Sequence, residues 1–345
     1  VGSEMCIRDR TLGVLALFVL MAYGQEKKFA LYSVAFYNME NLFDTIHDEG
    51  KNDYEYLPNG TNQWNTMKYK AKLKNMSEIL SMLSTDKLPM GPAIIGVSEI
   101  ENYRVLEDIL KQPALADRGY QYVHYEGADQ RGVDCAFFYN PKLFELTNSK
   151  LVPYVYINDT VHKTRGFLIA SGNIAGEKMH FIVNHWPSRA AASPARERAG
   201  EQVRAIKDSL LREDSAAKIV IMGDMNDDPM DKSMAVALGA KRKPADVGPT
   251  DLYNPWWDTL KKGYGTLMYK GKWNLFDQIV FTGNLLGTDR STLKFYKHEI
   301  FRRDFMFQKE GKYKGYPKRT QAGGVWLNGY SDHLPTIIYL IKEVK

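Results

Sequence analysis

The sequence Lys-Ile-Val-Ile-Met-Gly-Asp-Met-Asn-Asp-Asp-Pro, at residues 218–229, decides how the fold of this chain is interpreted. Its apolar run at 219–222 predicts a short buried strand, and Pro229 prevents that strand from continuing. Acceptor groups crowd the end of the strand, at Asp224, Asn226, Asp227 and Asp228. Such groups repel one another unless they share a cation or a proton. The alternative is an Asx turn stabilised by local backbone hydrogen bonds.

Composition indicates a globular protein of one large domain. The chain has 345 residues, of which 44% are apolar and 25% are charged. No low-complexity run, internal repeat or linker marks a boundary, so we expect one domain over residues 25–345. The net charge of +5 suits an anionic partner without requiring one.

The N-terminal residues have the layout of a secretory signal peptide. Arg8 and Arg10 precede an apolar run at 12–21, and polar residues follow Gly24. Because a membrane-spanning helix needs about 20 apolar residues, we predict that residues 1–24 are removed and that the protein is secreted or periplasmic. A retained membrane anchor is the alternative. Removal leaves Cys135 without an intrachain partner, and we expect a monomer without a stable membrane anchor.

The hydrophobic pattern predicts strands interspersed with helices and hairpins. Strands are predicted at 31–37, 93–97, 120–125, 133–139, 167–175, 179–183, 219–222, 277–281 and 336–341. Helices are predicted at 66–83, 103–111 and 194–211, and a surface loop at 44–65. Hairpins argue against a strictly alternating parallel sheet, so the pattern favours an α/β sandwich with mixed sheets.

Polar residues stand at the ends of many predicted strands, where a rigid scaffold can position catalytic groups. They are Asn38, Glu99, His185, Asp224, Asn226, Asp277, Asp332 and His333. Most offer hard oxygen donors, which suit Mg²⁺ or Mn²⁺ better than zinc. The two histidines add a general base and a group that can stabilise charge on a phosphate.

In their order along the chain, these segments resemble the motifs of the endonuclease/exonuclease/phosphatase superfamily. The matching segments are Tyr37-Asn38-Met39-Glu40, Ser98-Glu99, Asn184-His185, Gly223-Asp224-Met225-Asn226, Asp277-Gln278-Ile279 and Ser331-Asp332-His333. Each is weak alone, but their shared order makes the resemblance specific and extends it over the chain that follows residue 24. The resemblance implies a four-layer α/β/β/α sandwich, with two mixed β-sheets face to face and helices outside.

The resemblance also implies a role for each site residue. Glu99 would hold the metal with help from Asn38 and Asp332, and Glu40 would either support the metal or make structural hydrogen bonds. Asp224 would orient or deprotonate the attacking water, and Asn226 would bind the scissile phosphate. His333 would act as a base or charge stabiliser, and His185 would donate to the phosphate or the leaving oxygen. Asp277 would orient one of the two histidines, and the resemblance does not decide which one.

Basic residues provide candidate substrate contacts. Arg131 either clamps a phosphate or pairs with Asp129 or Asp134, and Arg189 is expected to contact phosphate or substrate. Residues 297–319 interleave basic and aromatic side chains, which fits a groove that follows a nucleic-acid backbone, although a solvated loop explains the composition nearly as well.

These features predict a secreted, Mg²⁺- or Mn²⁺-dependent phosphodiester hydrolase, with a nuclease acting on DNA or RNA as the leading hypothesis. The alternative is a phosphomonoesterase or lipid phosphodiesterase that uses the same site on small phosphate esters or lipids, because substrate choice lies in variable loops. An inactive binding protein is disfavoured, because chemically competent residues occupy every position that the reaction needs.

Overall fold

The computed structural model describes residues 27–157, 159 and 161–344. The predicted signal peptide at residues 1–24 lies outside these residues, so it stays a prediction. Within the described ranges, no helix is long and apolar enough to cross a membrane.

The secondary structure consists of many strands with a few helices between them, and among the residues that the structure describes, the strands between positions 121 and 185 follow one another without a helix. The strands are β1 (Lys28–Leu42), β2 (Ile94–Ile100), β3 (Gln121–His124), β4 (Asp134–Tyr139), β5 (Glu145–Val152), β6 (Phe167–Ile174), β7 (Glu177–His185), β8 (Lys218–Asp224), β9 (Ala240–Lys241), β10 (Leu252–Tyr253), β11 (Leu267–Tyr269), β12 (Lys272–Asn274), β13 (Asp277–Thr282), β14 (Lys294–Ile300), β15 (Gln321–Ala322), β16 (Val325–Trp326) and β17 (Thr336–Val344). The α-helices are α1 (Thr66–Met82), α2 (Tyr103–Leu110), α3 (Ser193–Glu213) and α4 (Trp257–Lys261). Single-turn 3₁₀-helices lie at Tyr54–Tyr56, Ala116–Arg118, Pro244–Asp246, Gly283–Leu285 and Asp304–Met306, and a π-helix lies at Ser233–Leu238.

Two mixed sheets contain most of the strands. The first has the order β14-β17-β1-β2-β4-β3, and the second has the order β5-β6-β7-β8-β13-β10-β9. The two-residue period of a strand divides the side chains of β1 between two cores. Val34 and Phe36 point towards the second sheet, whereas Ala35 and Tyr37 point towards α1 and α2.

Three apolar cores separate four layers. One core joins α1 and α2 to the first sheet, the second lies between the sheets, and the third joins the second sheet to α3. The three longer helices begin at residues that suit an N-terminus: Asn65 and Asn102 accept backbone hydrogen bonds at the starts of α1 and α2, and Pro194 lies in the first turn of α3. The predicted four-layer α/β/β/α sandwich is therefore confirmed.

The structure differs from the sequence-based prediction mainly at the sheet edges. Strands β5 and β14 were not predicted, and each pairs with a neighbour on one side only. Edge strands of this kind are partly exposed, so their sequences lack the apolar pattern of a buried strand. The predicted surface loop at 44–65 contains the fully buried Trp64, whose indole donates to the carbonyl of Phe43 at 2.9 Å.

Candidate active site

Strand ends from both sheets meet at one edge of the sandwich. Parallel pairing aligns the ends of β7 and β8, so that His185 lies opposite Asp224. Antiparallel pairing then brings the start of β13 to the same place, with Asp277 opposite Asp224. In the first sheet, β1 and β2 are parallel and pair Asn38 with Ser98, one residue before Glu99. The alternation of parallel and antiparallel pairs explains why both ends and starts of strands supply site residues.

Asp224 lies at the centre of this group. Its Oδ2 accepts from Asn38 Nδ2 at 3.1 Å and lies 3.7 Å from His185 Nε2 and 3.9 Å from His333 Nε2. Burial raises the pKa of this carboxyl; His333 opposes that shift, whereas repulsion from Asp277 and Glu99 adds to it, and the result is about 7. A carboxylate with a pKa near neutrality can accept a proton from water at physiological pH.

The two histidines are held in opposite charge states. His333 Nδ1 bonds to Asp277 Oδ2 at 2.7 Å, which answers the question of which histidine Asp277 orients. Burial alone would lower the pKa of His333, but Asp277 and Asp224 raise it well above its usual value. Burial lowers the pKa of His185 well below its usual value, and the positive charges of Arg165 and Arg131 add to the effect. His333 is therefore cationic and His185 neutral.

Glu99 faces the same group from the first sheet. Its Oε1 accepts from Asn38 Nδ2 at 3.1 Å and lies 3.6 Å from His185 Nε2, while its Oε2 accepts from the backbone of Asn41 at 3.0 Å. The backbone of Glu99 has a φ of 59°, a left-handed conformation that costs free energy for a residue with a side chain. The surrounding contacts maintain this conformation and turn the carboxylate towards the site.

A second charged cluster lies beside the first and joins Glu40, Asp332, Arg319 and Lys72. Arg319 bridges the two acids, with Nε 2.7 Å from Glu40 Oε1 and a terminal nitrogen 3.0 Å from Asp332 Oδ2. Lys72 is fully buried, 3.9 Å from Glu40 Oε2. Burial and repulsion from Asp332 raise the pKa of Glu40 to about 7, although both cations oppose the shift. The predicted metal ligands Glu40 and Asp332 are thus paired with arginine.

The polar residues at 224–229 have two kinds of role: some face the catalytic groups, and the others hold neighbouring segments in place. Asn226 lies near the site with a φ of 52°; its backbone donates to Asp224 Oδ1 at 2.9 Å, so the Asx turn considered as an alternative also forms. Asp227 instead pairs with Arg196 at 2.9 Å, and Asp228 accepts from the backbone of Leu275 at 2.7 Å. Only the first half of the acidic run faces the catalytic groups.

The candidate substrate-binding arginines both have protein partners. Arg131 lies 3.4 Å from Asp129 and its side chain is 53% exposed. Arg189 lies 2.9 Å from Asp231, donates to the carbonyl of Asn226 at 3.0 Å and stacks on Phe276. An acid therefore defines the position of each guanidinium, and part of each side chain stays exposed.

Sequence reasoning missed two functional-site cations, Arg165 and Lys72, and assigned Arg319 to a basic stretch only. Arg165 is buried, lies 3.0 Å from Asp129 and donates to the carbonyl of Trp186, next to His185. Neither Arg165 nor Lys72 stands in a recognisable motif. The one available signal was the presence of Lys72 among the apolar positions of the predicted helix at 66–83. A lysine that is buried at such a position needs a polar partner.

The basic segment at 297–319 is divided between packing and exposure. Arg302 packs over Trp273 and Phe307, and Arg303 packs over Phe301. Lys309, Lys312, Tyr313 and Lys314 are exposed. We refer to residues 309–316 as the rim loop, because Tyr313 and Arg319 line the same cavity at the edge of the site.

The donor chemistry of the site fits a divalent cation. Glu99, His185 and Asp224 each present an atom within 4.8 Å of the others. Asp224, Asp277 and His333 lie equally close together, but the cationic His333 already supplies the positive charge there. Burial raises the pKa of Asp224 and of Glu40, and repulsion from neighbouring carboxylates adds to both shifts, so a cation bound nearby would stabilise the charged forms. Oxygen-rich, negatively charged clusters of this type suit Mg²⁺ or Mn²⁺.

The fold and the site together define the class of protein. The sequence profile of the Endonuclease/Exonuclease/phosphatase family matches residues 33–342, and this chain belongs to that family. The resemblance inferred from the strand-end motifs is therefore confirmed. No curated protein matches the sequence.

Several solved structures share the fold at low sequence identity. A Bacteroides thetaiotaomicron endonuclease/exonuclease/phosphatase family protein is 15% identical, with a TM-score of 0.57 over 92% of this chain and 97% of its own. A mannosyl-6-phosphatase from the same species is 14% identical, with a TM-score of 0.55 over 90% and 99%. D. rerio TDP2 complexed with single-strand DNA product is 14% identical, with a TM-score of 0.52 over 90% and 99%. These similarities establish the fold.

Proposed function

We propose that this protein is a divalent-metal-dependent hydrolase of phosphate esters and that nucleic acid is its substrate. One observation carries the proposal: Asp224, with a pKa of about 7, lies between a neutral histidine and a cationic histidine at the meeting point of both sheets. A base, a hydrogen-bonding imidazole and a positive charge in one place are what in-line attack of water on phosphorus requires.

Each candidate site residue has a defined role in that reaction. Asp224 orients the attacking water and accepts its proton, and Asn226 binds a phosphate oxygen. His333, kept cationic by Asp277, stabilises negative charge on the phosphate, and His185 contacts the phosphate or the leaving oxygen. Glu99 would hold the metal with help from Asn38, while Asp332 and Glu40, which are paired with Arg319, would support it from the adjacent charged cluster. A divalent cation held there supplies Lewis-acid stabilisation of the charge that develops around phosphorus.

Nucleic acid is favoured by the rim loop. Its three lysines outnumber its one acid, Glu310, and Tyr313 is 52% exposed beside Arg319. Exposed lysines contact phosphates along a strand, and an exposed aromatic ring can stack on a base. The DNA product bound by D. rerio TDP2 supports the same substrate class for this fold.

A sugar phosphate monoester is the second candidate substrate. It is favoured by a cavity with mainly polar walls that lies against Glu40 and Arg319. One relative by fold is a mannosyl-6-phosphatase.

For the location of the protein, we propose secretion or the periplasm, which rests on the N-terminal sequence pattern alone.

The test is a substrate panel with the purified chain: plasmid DNA, single-stranded DNA, RNA, p-nitrophenyl phosphate, mannose 6-phosphate and sphingomyelin. We expect nicking of plasmid DNA with Mg²⁺ or Mn²⁺, none with EDTA, and recovery when the metal is restored. The matched variants are His185→Ala, which should be inactive, and His180→Ala on the same strand, which should retain activity. Fast turnover of monoesters without nicking would replace the nuclease proposal with the second candidate.

A further inference from the structure

A cavity of about 390 Å³, the polar-walled cavity that favours the second candidate substrate, opens beside the catalytic centre. It lies between residues 55–64 and the β15–β16 hairpin, and Glu40 and Arg319 form part of its wall. We refer to it as the side cavity. Arg319 also contacts Asp332, so the side cavity adjoins the residues of the proposed active site. Its volume falls in the range of about 300–1,000 Å³ that is usual for small-molecule sites.

The walls of the side cavity carry hydrogen-bonding groups that have no protein partner. Asn41, Asn62 and Gln321 line it, and within the described part of the chain none of their carboxamides bonds to another protein group. The Oε1 atom of Gln321 is buried and unpaired. Buried acceptors of this kind normally have a donor. A carboxamide both accepts and donates, so these groups match hydroxyls, which do the same.

Gln321 is held in place before any ligand arrives. It pairs with Trp326 across the β15–β16 hairpin, whose two-residue turn contains Gly323 and Gly324. Their φ values of 55° and 78° are those a tight two-residue hairpin turn requires. Trp326 packs edge-on against the buried Trp64, with ring centroids 5.9 Å apart. These contacts fix the backbone of Gln321, so only rotation of its side chain is lost when the carboxamide binds a ligand.

We propose that the side cavity binds the sugar ring that is esterified to the scissile phosphate, through the hydroxyl groups of that ring. The inference rests on the proposed phosphate-ester hydrolysis. A sugar ring offers several hydroxyls to Asn41, Asn62 and Gln321, whereas an apolar alcohol or lipid would leave these groups unpaired. The sugar is either the pentose of a nucleotide or a free sugar phosphate, since both present hydroxyls next to a phosphate.

The kinetic test compares esters that differ only in the group attached to phosphate. Gln321→Ala should raise KM for its sugar-containing substrate by about 10-fold, because a site built to bind hydroxyls depends on each partner. The same variant should leave kcat/KM for p-nitrophenyl phosphate within about twofold, since that ester has no hydroxyls to bind. Asn62→Ala, on the opposite wall, should behave alike, and Gln112→Ala, just after the end of α2, is the matched control.

Parallel reactions with mannose 6-phosphate, ribose 5-phosphate and a short RNA identify the source of the sugar by which substrate responds to Gln321→Ala. A response with any of them supports the proposal. Equal effects on p-nitrophenyl phosphate and on all the sugar substrates, or no effect on any, would overturn it.

A binding measurement separates this inference from the proposed function. In EDTA, isothermal titration of the full chain compares mannose 6-phosphate and ribose 5-phosphate with inorganic phosphate. Tighter binding of either sugar phosphate, lost in Gln321→Ala, supports the side cavity even if no ester is hydrolysed. Binding no tighter than inorganic phosphate would overturn the side cavity even if the protein proves to be an active hydrolase.

Discussion

The strand ends at the catalytic centre and the rim loop beside them are built in opposite ways. Asn38, Asp224 and Asp277 are at most 1% exposed and are held by other site residues. Tyr313 in the rim loop is 52% exposed, and its lysine neighbours lie in solvent. Buried polar groups constrain one another, so the chemistry is set by the scaffold. An exposed loop is free to vary, so we expect it to influence the choice of substrate.

The largest effect is expected at the centre of the buried group. Asp224→Ala should lower kcat/KM by about 10³-fold, because it removes the proton acceptor. The variant should melt at or above the temperature of the wild type, since a crowded, buried carboxylate is removed with it. Steady-state kinetics and calorimetry check both outcomes, with Asp214→Ala at the end of α3 as the control. If Asp224→Ala kept more than one tenth of the wild-type kcat/KM, the buried strand ends would not set the chemistry in the way proposed here.

A smaller loss with a distinct pH dependence is expected at Asp277. Asp277→Asn should lower kcat/KM by about 10²-fold, because His333 loses the anion that keeps it charged. In the wild type the raised pKa keeps His333 protonated well above pH 6.5. In the variant that pKa falls, so the proton is lost as pH rises through the ordinary range of histidine. The deficit should therefore be larger at pH 8 than at pH 6, and NMR titration of His333 should show the lowered pKa. A pH-independent deficit would contradict this role.

The rim loop should affect affinity more than chemistry. Lys312→Ala/Lys314→Ala should weaken binding to single-stranded DNA by about 10-fold and reduce the steepness of its salt dependence, because fewer counterions are released. Its kcat for p-nitrophenyl phosphate should not change. The control is Lys142→Ala/Lys178→Ala, which removes exposed charges next to strand ends at the opposite edge of the sheets. Equal losses in both double variants would mean that net charge, and not the rim loop, attracts the nucleic acid.

The smallest effect is expected outside the candidate site, at His298 on the edge strand β14. Burial lowers its pKa to about 4, and its Nε2 bonds to Thr259 at 2.9 Å. A base with a depressed pKa stabilises the fold above its unfolded pKa of about 6.5, and that stability is lost as pH falls towards 4. His298→Gln should therefore reduce the decrease in Tm between pH 7 and pH 4.5 by a few degrees, about what 1 kcal/mol produces. Unchanged pH dependence in differential scanning calorimetry would show that His298 does not contribute, and activity near pH 7 is the control.

Much of the group of candidate site residues that the structure brings together could be predicted, because their positions at strand ends are encoded locally. Asp224, Asn226 and His185 each follow an apolar run, and a buried strand can only end where polar residues begin. The edge strands β5 and β14 could not be predicted, because half of their contacts are with solvent and their composition is ambiguous. The partner of Asp277 was equally out of reach, since His185 and His333 are both plausible until the sheets are assembled.

The sequence by itself determined which residue types stand at strand ends, and through their order it indicated the family and the four-layer sandwich. Only the tertiary structure decided that Arg319 bridges Glu40 and Asp332, that Arg165 lies behind His185, and that Gln321 faces a polar cavity. The physical reason is the separation along the chain of the residues that interact. Strand formation depends on neighbours along the chain, whereas an ion pair such as Arg319–Glu40 joins residues 279 positions apart. No local pattern records such a contact.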